Sequence, residues 1–291
     1  MKTAFSTVAC PEWTLGQVFD FAAHLEFDGI ELRTLGPASA DLACDPALTD
    51  PEKTRGLAVR AGLAIPCLAT SARFDAPIWP PVVGRVIGDV LRPIRSAQRE
   101  VELADRLGCG FVRVFGFEAP RGERVESCVS RIAERLWAVA DTGRARGVRV
   151  VVENGGSFPT AADLARLLDR VGHPMLGAAY SVAVGHAAGE EPGDAIRTLA
   201  ERLWTVKVKD LAGGRPCALG RGEVPCRAAV DALGSAGFTG WVIYEWDRLW
   251  IADLAPPEQA LHAADETLHG WIGAGRTANA RSADGRALAA V

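Results

Sequence analysis

Short apolar, β-branched runs alternate along the whole chain with longer stretches in which apolar residues recur every three or four positions. The short runs predict eight strands: Thr3–Val8, Gly29–Leu32, Ala64–Ala69, Phe111–Phe115, Val148–Glu153, Met175–Tyr180, Trp204–Lys209 and Trp241–Glu245. Sets such as Leu15, Val18, Phe19 and Ala22, or Ile132, Leu136, Val139 and Ala140, give each intervening helix one stripe for packing. Asp50-Pro51-Glu52 and Thr160-Ala161-Ala162-Asp163 signal helix starts, and Gly62, Gly108, Gly147 and Gly172 fall where helices should stop before the next strand. Eight consecutive βα units predict an α/β fold, a single closed (β/α)₈ TIM barrel over residues 1–272, with its active face at the strand C-termini. No Gly-x-Gly-x-x-Gly follows the first strand, which argues against an open doubly wound sheet. Residues 273–291 are rich in Ala, Gly, Arg and Ser without an apolar period and are expected to form a flexible C-terminal tail.

Composition narrows the partners. With 48% apolar and 23% charged residues the chain can bury a large core, and a formal charge of −4 supplies no basic field for a nucleic acid. No charged leader or membrane-length apolar run stands out, so a cytoplasmic protein without membrane contact is expected. Seven cysteines without CxxC spacing indicate buried thiols rather than a disulfide framework or zinc knuckle.

The predicted strand ends carry a polar ring: Cys10 and Trp13, Glu31 and Arg33, Ser71 and Arg73, Arg113, Glu153 and Asn154, Ser181, Lys207 and Lys209, Glu245 and Trp246. Lys207 and Lys209 are two of only four lysines in a chain with 28 arginines, so a lysine pair at one strand end looks chosen for its chemistry. Glu153 and Glu245 are placed to point into the barrel mouth, where two carboxylates act as acid and base or pair with neighbouring arginines. Trp13, Glu31, Arg33, Arg73, Arg113, Ser181, Lys209 and Trp246 are the expected substrate-binding residues. Trp13, Trp79, Trp246 and Trp250 suit stacking on a carbohydrate, and Arg73, Arg113 and Lys209 form a rim suited to a carboxylate or phosphate. The proline-rich run Phe74–Pro81 reads as a lid or dimer contact, so a homo-oligomer is compatible with the sequence.

Taken in order, Phe27-Asp28-Gly29-Ile30-Glu31-Leu32-Arg33, Val112-Arg113-Val114-Phe115-Gly116, Val151-Val152-Glu153-Asn154, Ala188-Gly189-Glu190-Glu191-Pro192, Val206-Lys207-Val208-Lys209-Asp210, Gly220-Arg221-Gly222-Glu223-Val224-Pro225 and Tyr244-Glu245-Trp246 resemble the xylose isomerase-like TIM barrels known as sugar phosphate isomerases/epimerases. The resemblance implies four metal ligands at strand ends: a Glu after strand five, an Asp after strand six, a His on strand seven and a Glu closing strand eight. Glu153 and Glu245 match the glutamates, but Ser181 stands at the Asp position and Lys207 at the His position. An ammonium has no lone pair and repels a dication, so no tightly bound metal or other cofactor is expected; a weak Mg or Mn held by Glu153 and Glu245 is the alternative. His186 restores a ligand only if a one-residue gap shifts the strand-six alignment, and Ala183 then replaces the acid.

The chemistry implied by the resemblance is proton transfer next to a carbonyl of a small polyhydroxylated substrate, through an enediolate. Lys207 between Glu153 and Glu245 stays charged and stabilises that intermediate; with the carboxylates occupied by Arg33, Arg73 or Arg113, a neutral Lys207 serves instead as a Schiff-base nucleophile in a lyase or dehydratase. A non-catalytic carbohydrate-binding pseudoenzyme is the competing reading. Nuclease activity, present in the wider superfamily, is not expected without its histidines and a basic stripe.

Overall fold

In the computed structural model, described for residues 1–35, 42–44, 50–77, 91–116 and 118–288 with side chains as far as residue 275, the short runs form strands and the amphipathic stretches form helices. The strands are β1 (Lys2–Ser6), β2 (Gly29–Arg33), β3 (Cys67–Arg73), β4 (Phe111–Phe115), β5 (Arg149–Glu153), β6 (Leu176–Ser181), β7 (Leu203–Val208), a hairpin of β8 (Asp210–Ala212) and β9 (Arg215–Cys217), and β10 (Trp241–Tyr244). β1 to β7 pair in chain order, and β10 closes the barrel between β7 and β1, every pairing being parallel. This is the expected (β/α)₈ barrel. Around it stand α1 (Leu15–Ala22), α2 (Pro51–Ala61), α3 (Arg92–Leu107), α4 (Val125–Arg146), α5 (Ala161–Val171), α6 (Val182–Ala187), α7 (Pro192–Leu199), α8 (Cys226–Ser235) and α9 (Pro257–Leu288). The backbone of α9 therefore continues past residue 272 to Leu288. No helix among the described residues is long and apolar enough to cross a membrane.

The helix boundaries follow local chemistry. Asp50 Oδ1 accepts from the Glu52 and Lys53 amides ahead of Pro51, and Thr160 and Asp163 form a reciprocal capping box on α5. α2, α3, α4 and α5 each end on a left-handed glycine, with φ from 61° at Gly172 to 77° at Gly108. Two strands depart from their expected bounds by more than one residue. β3 starts at Cys67 rather than Ala64, because Pro66 has no N–H for a ladder, and β1 stops at Ser6, where Thr7–Ala9 turn into a short 3₁₀ helix.

Alternate strand residues face inwards. Ala4, Cys67 and Ile243 pack with Phe111 and Trp241 as a small cluster separate from the main core between barrel and helices. On the same faces, towards the strand C-termini, the sequence has Glu31, Arg33, Ala69, Ser71, Arg113, Glu153, Ala179, Ser181, Thr205, Lys207 and Glu245. Small Ala, Ser and Thr side chains leave room there for long charged ones.

Candidate active site

The upper interior is organised by the ammonium of Lys207, in register with Ser181 on β6 and Ile243 on β10. Nζ lies 2.5 Å from Glu245 Oε2, 3.2 Å from Glu31 Oε1 and 3.5 Å from Glu153 Oε2, and the residue is 3% exposed. Burial and Arg113 work against its charge, but Glu153, Glu245 and Glu31 together outweigh them and hold Lys207 well above the ordinary lysine value. Glu31 is fully buried, and neither of its oxygens has a well-formed hydrogen bond, so the lysine charge is its compensation.

The network extends through the neighbouring strands. Arg113 Nη1 reaches Glu153 Oε2 at 3.2 Å, its guanidinium lying over the Phe115 ring. Lys209 Nζ bridges Glu245 Oε1 at 3.0 Å and Asp247 Oδ2 at 2.9 Å. Burial alone favours a protonated Glu245, yet Lys207 and Lys209 hold its carboxyl far below the usual range; Asp247 is pushed up by burial and by Glu245. Asp247 was not anticipated, although its two-residue spacing from Glu245 is compatible with facing the same way.

Of the expected substrate-binding residues, Glu31, Arg33, Arg113, Ser181 and Lys209 gather around this centre or one layer above it. Arg33 donates to Ala69 O at 3.1 Å and Ser71 Oγ at 2.6 Å. Arg73 is turned to Asp75, which also accepts the Glu118 amide. Trp246 points the other way from Glu245: it is 5% exposed, stacks on Tyr244 and gives its N–H to Ala255 O. Trp13 packs edge-on against Phe21. Residues 74–77 are tied to α4, where Arg135 donates to Phe74 O and Ala76 O and Arg131 to Asp75 O. Trp79 and the rest of that loop lie outside the described residues. His186 occupies the last turn of α6, where it is exposed.

Several conspicuous motifs brace the site. Asp210, 1% exposed, accepts the amides of Leu211, Gly220, Gly222 and Val224 at 2.9–3.0 Å, folding the Gly220–Pro225 segment back over the end of β7. A Cβ on Gly222 would fall 2.2 Å from Leu211 O. Glu190 accepts the Ala161 amide at the start of α5 and the Tyr180 hydroxyl. Asn154 stitches β5 to β6, accepting from Ser181 N and donating to Ser181 O.

The residues present do not fit a resident divalent ion. An ion between Glu153 and Glu245 would meet an ammonium already 2.5 Å from one of those carboxylates, with a neutral serine at the third ligand position. Three carboxylates do converge here, those of Glu31, Glu153 and Glu245, but the point they surround is occupied by Lys207 Nζ.

Comparison with known proteins sets this centre in context. The profile of the family described as xylose isomerase-like TIM barrel matches residues 19–268. An uncharacterised protein of Mycobacterium leprae (strain TN) is 26% identical over 273 residues, covering 84% of this chain and 88% of that protein. Among solved structures, an L-ribulose 3-epimerase superposes with a TM-score of 0.79 at 18% identity over 97% of each chain. The IolI protein, solved with a bound zinc atom, gives a TM-score of 0.75 at 16% identity, covering 94% of this chain and 98% of its own.

Proposed function

The chain belongs to the xylose isomerase-like TIM barrel family, and on that premise we propose that it is a sugar isomerase- or epimerase-like enzyme. It moves a proton at the carbon next to a carbonyl of a small polyhydroxylated substrate, through an enediolate, with the Lys207 ammonium in place of a divalent ion. The observation that carries this reading is the Lys207 Nζ surrounded by Glu245, Glu31 and Glu153 at 2.5–3.5 Å at the strand C-termini.

A lysine held in its charged form favours electrostatic stabilisation over Schiff-base formation, which needs the free amine. Glu153 is the most distant of its three partners, at 3.5 Å without a hydrogen bond. A substrate oxygen therefore displaces Glu153 from Nζ at least cost and takes over that N–H, while Glu245 and Glu31 keep the ammonium in position. Glu153, still on Arg113, becomes the first proton acceptor, because Glu245 is clamped by two ammoniums. Glu153 returns its proton to carbon, while Glu245, ionised at the start, takes the hydroxyl proton of the enediol and passes it to the other oxygen once the substrate has drawn part of the Lys207 charge to itself. A preorganised donor at a developing oxyanion contributes about 10²–10³-fold in rate.

The test is NMR-detected exchange of solvent deuterium into the carbon next to the carbonyl, for ketoses and their acid and phosphate derivatives. Enzyme shown metal-free by elemental analysis should exchange with chelator present, and folded Glu153→Gln and Lys207→Met variants should not. Exchange that appears only on adding a divalent ion would overturn the lysine role. A second reading, a non-catalytic carbohydrate binder, is favoured by the suppressed proton affinity of Glu245; saturable binding without exchange would identify it.

A further inference from the structure

Each cation at the mouth touches a carboxylate, with a single exception among the described residues. Lys207, Lys209 and Arg113 each have a carboxylate within 3.2 Å, and Arg73 pairs with Asp75. Arg33, 8% exposed, has none within 4.0 Å; its partners are the neutral Ala69 carbonyl and Ser71 hydroxyl, with the Trp250 ring 5.8 Å from the guanidinium. Burial and the neighbouring Arg113 pull its pKa down to about 10, so it remains a cation at neutral pH. No carboxylate among the described residues touches it, Glu31, Glu245 and Glu153 acting on it only from beyond 4.0 Å, and a buried cation without a contacting counter-ion is costly.

Arg33 also has spare donors. A guanidinium carries five N–H groups, and two are engaged here. Arg113 Nε is walled in without a partner, whereas none of the Arg33 nitrogens is sealed in this way. Ser71, having accepted from Arg33, keeps its own hydroxyl proton to donate. Trp250, 60% exposed, offers an aromatic face beside the same point.

From this arrangement we infer that Arg33, with Ser71, receives a carboxylate of the substrate, so the substrate class of the site is sugar acids: polyhydroxylated carbonyl compounds bearing one carboxylate. The inference rests on the enzyme reading of the centre below but not on turnover. Carboxylate is preferred to phosphate by charge. One unpaired guanidinium neutralises one negative charge and matches a planar carboxylate fork, whereas a phosphate monoester brings nearly two charges to a mouth whose other cations are committed.

The experiment is calorimetric titration of the full chain with size-matched trios: D-glucose, D-glucuronate and glucose 6-phosphate; D-fructose, 5-keto-D-gluconate and fructose 6-phosphate. The carboxylate member should bind roughly ten- to a hundred-fold tighter than its neutral counterpart, as a charge-assisted pair predicts. Arg33→Gln should erase that preference. Arg33→Lys, which keeps the charge, should retain part of the preference, and it carries the test if the glutamine variant does not fold. Equal binding of neutral and acidic members, a preference surviving in Arg33→Gln, or a phosphate ester binding tightest would each overturn the inference. Deuterium exchange on the same samples separates the two readings. Exchange without an Arg33-dependent acid preference refutes only this inference, and an acid preference without exchange refutes only the isomerase reading.

Discussion

Replacing Lys207 by methionine removes one buried positive charge from contact with three carboxylates. At distances of 2.5, 3.2 and 3.5 Å, each contact represents about 5–7 kcal/mol of gross attraction at an effective dielectric near 20, most of it offset by the desolvation of the ions. The net cost of deleting one partner of a buried ionic cluster is about 3–5 kcal/mol, because the acids left behind repel one another in a poorly solvated space. The pH dependence has a definite sign. In the native protein Lys207 is held above its ordinary value of 10.5 and Glu245 below its ordinary 4.5, so both stabilising contributions are fully present between those values. In the variant the crowded carboxylates titrate above their unfolded values, so its native state gains stability on acidification and loses it as the pH rises through that window. Urea denaturation at pH 5 and pH 8 should therefore show Lys207→Met about 3–5 kcal/mol less stable than the native chain at pH 8, with a smaller gap at pH 5. A gap under about 1 kcal/mol that does not change with pH would refute the reasoning, since it would mean that the ammonium is not enclosed by the glutamates.

Two further substitutions probe the supporting structure. Glu100 on α3 is 3% exposed and neither oxygen has a donor, the Thr70 hydroxyl proton going to Arg113 O, and burial pushes its carboxyl up to about 7. Its raised native value costs stability as the pH climbs from the ordinary 4.5 towards 7, so Glu100→Gln should match the native chain near pH 4.5 and exceed it by about 1–3 kcal/mol at pH 8 in denaturant titrations. Asp210→Ala strands four amides now accepted at 2.9–3.0 Å and should cost about 2–4 kcal/mol, with faster proteolysis within residues 211–224. Unchanged protease sensitivity would show that Asp210 is not what holds that segment.

Much of the fold was legible because barrel strands and their helices advertise themselves locally. Period-three-to-four stripes, capping boxes and left-handed glycines are decided within a dozen residues, and all eight barrel strands were anticipated to within a few positions. The β8–β9 hairpin escaped notice because three-residue strands carry no period, although the Gly213-Gly214 pair between them, at φ 58° and 77°, is a turn signal. At the centre, the pairing of Lys207 with Glu153 and Glu245 follows from strand-end positions alone. The approach of Glu31 from the opposite side of the barrel depends on the interior being narrow and lined by small residues, which no local pattern encodes. Trp246 illustrates the same limit: adjacent residues at a strand end face opposite ways, so once Glu245 points inwards its neighbour joins the core. Asp210, Glu190 and Asn154 stand out in the sequence, but their hydrogen bonds reveal braces for the loops and strands around the centre.

The central claim, that a lysine ammonium sits where a metal ion would have to bind, is tested most directly by a crystal soaked in millimolar Mn and measured at the metal's absorption edge. The account predicts no anomalous peak between Glu153 and Glu245, with Lys207 Nζ in hydrogen-bond contact with Glu245. An ordered peak coordinated by both glutamates, with Lys207 turned out towards solvent, would contradict it.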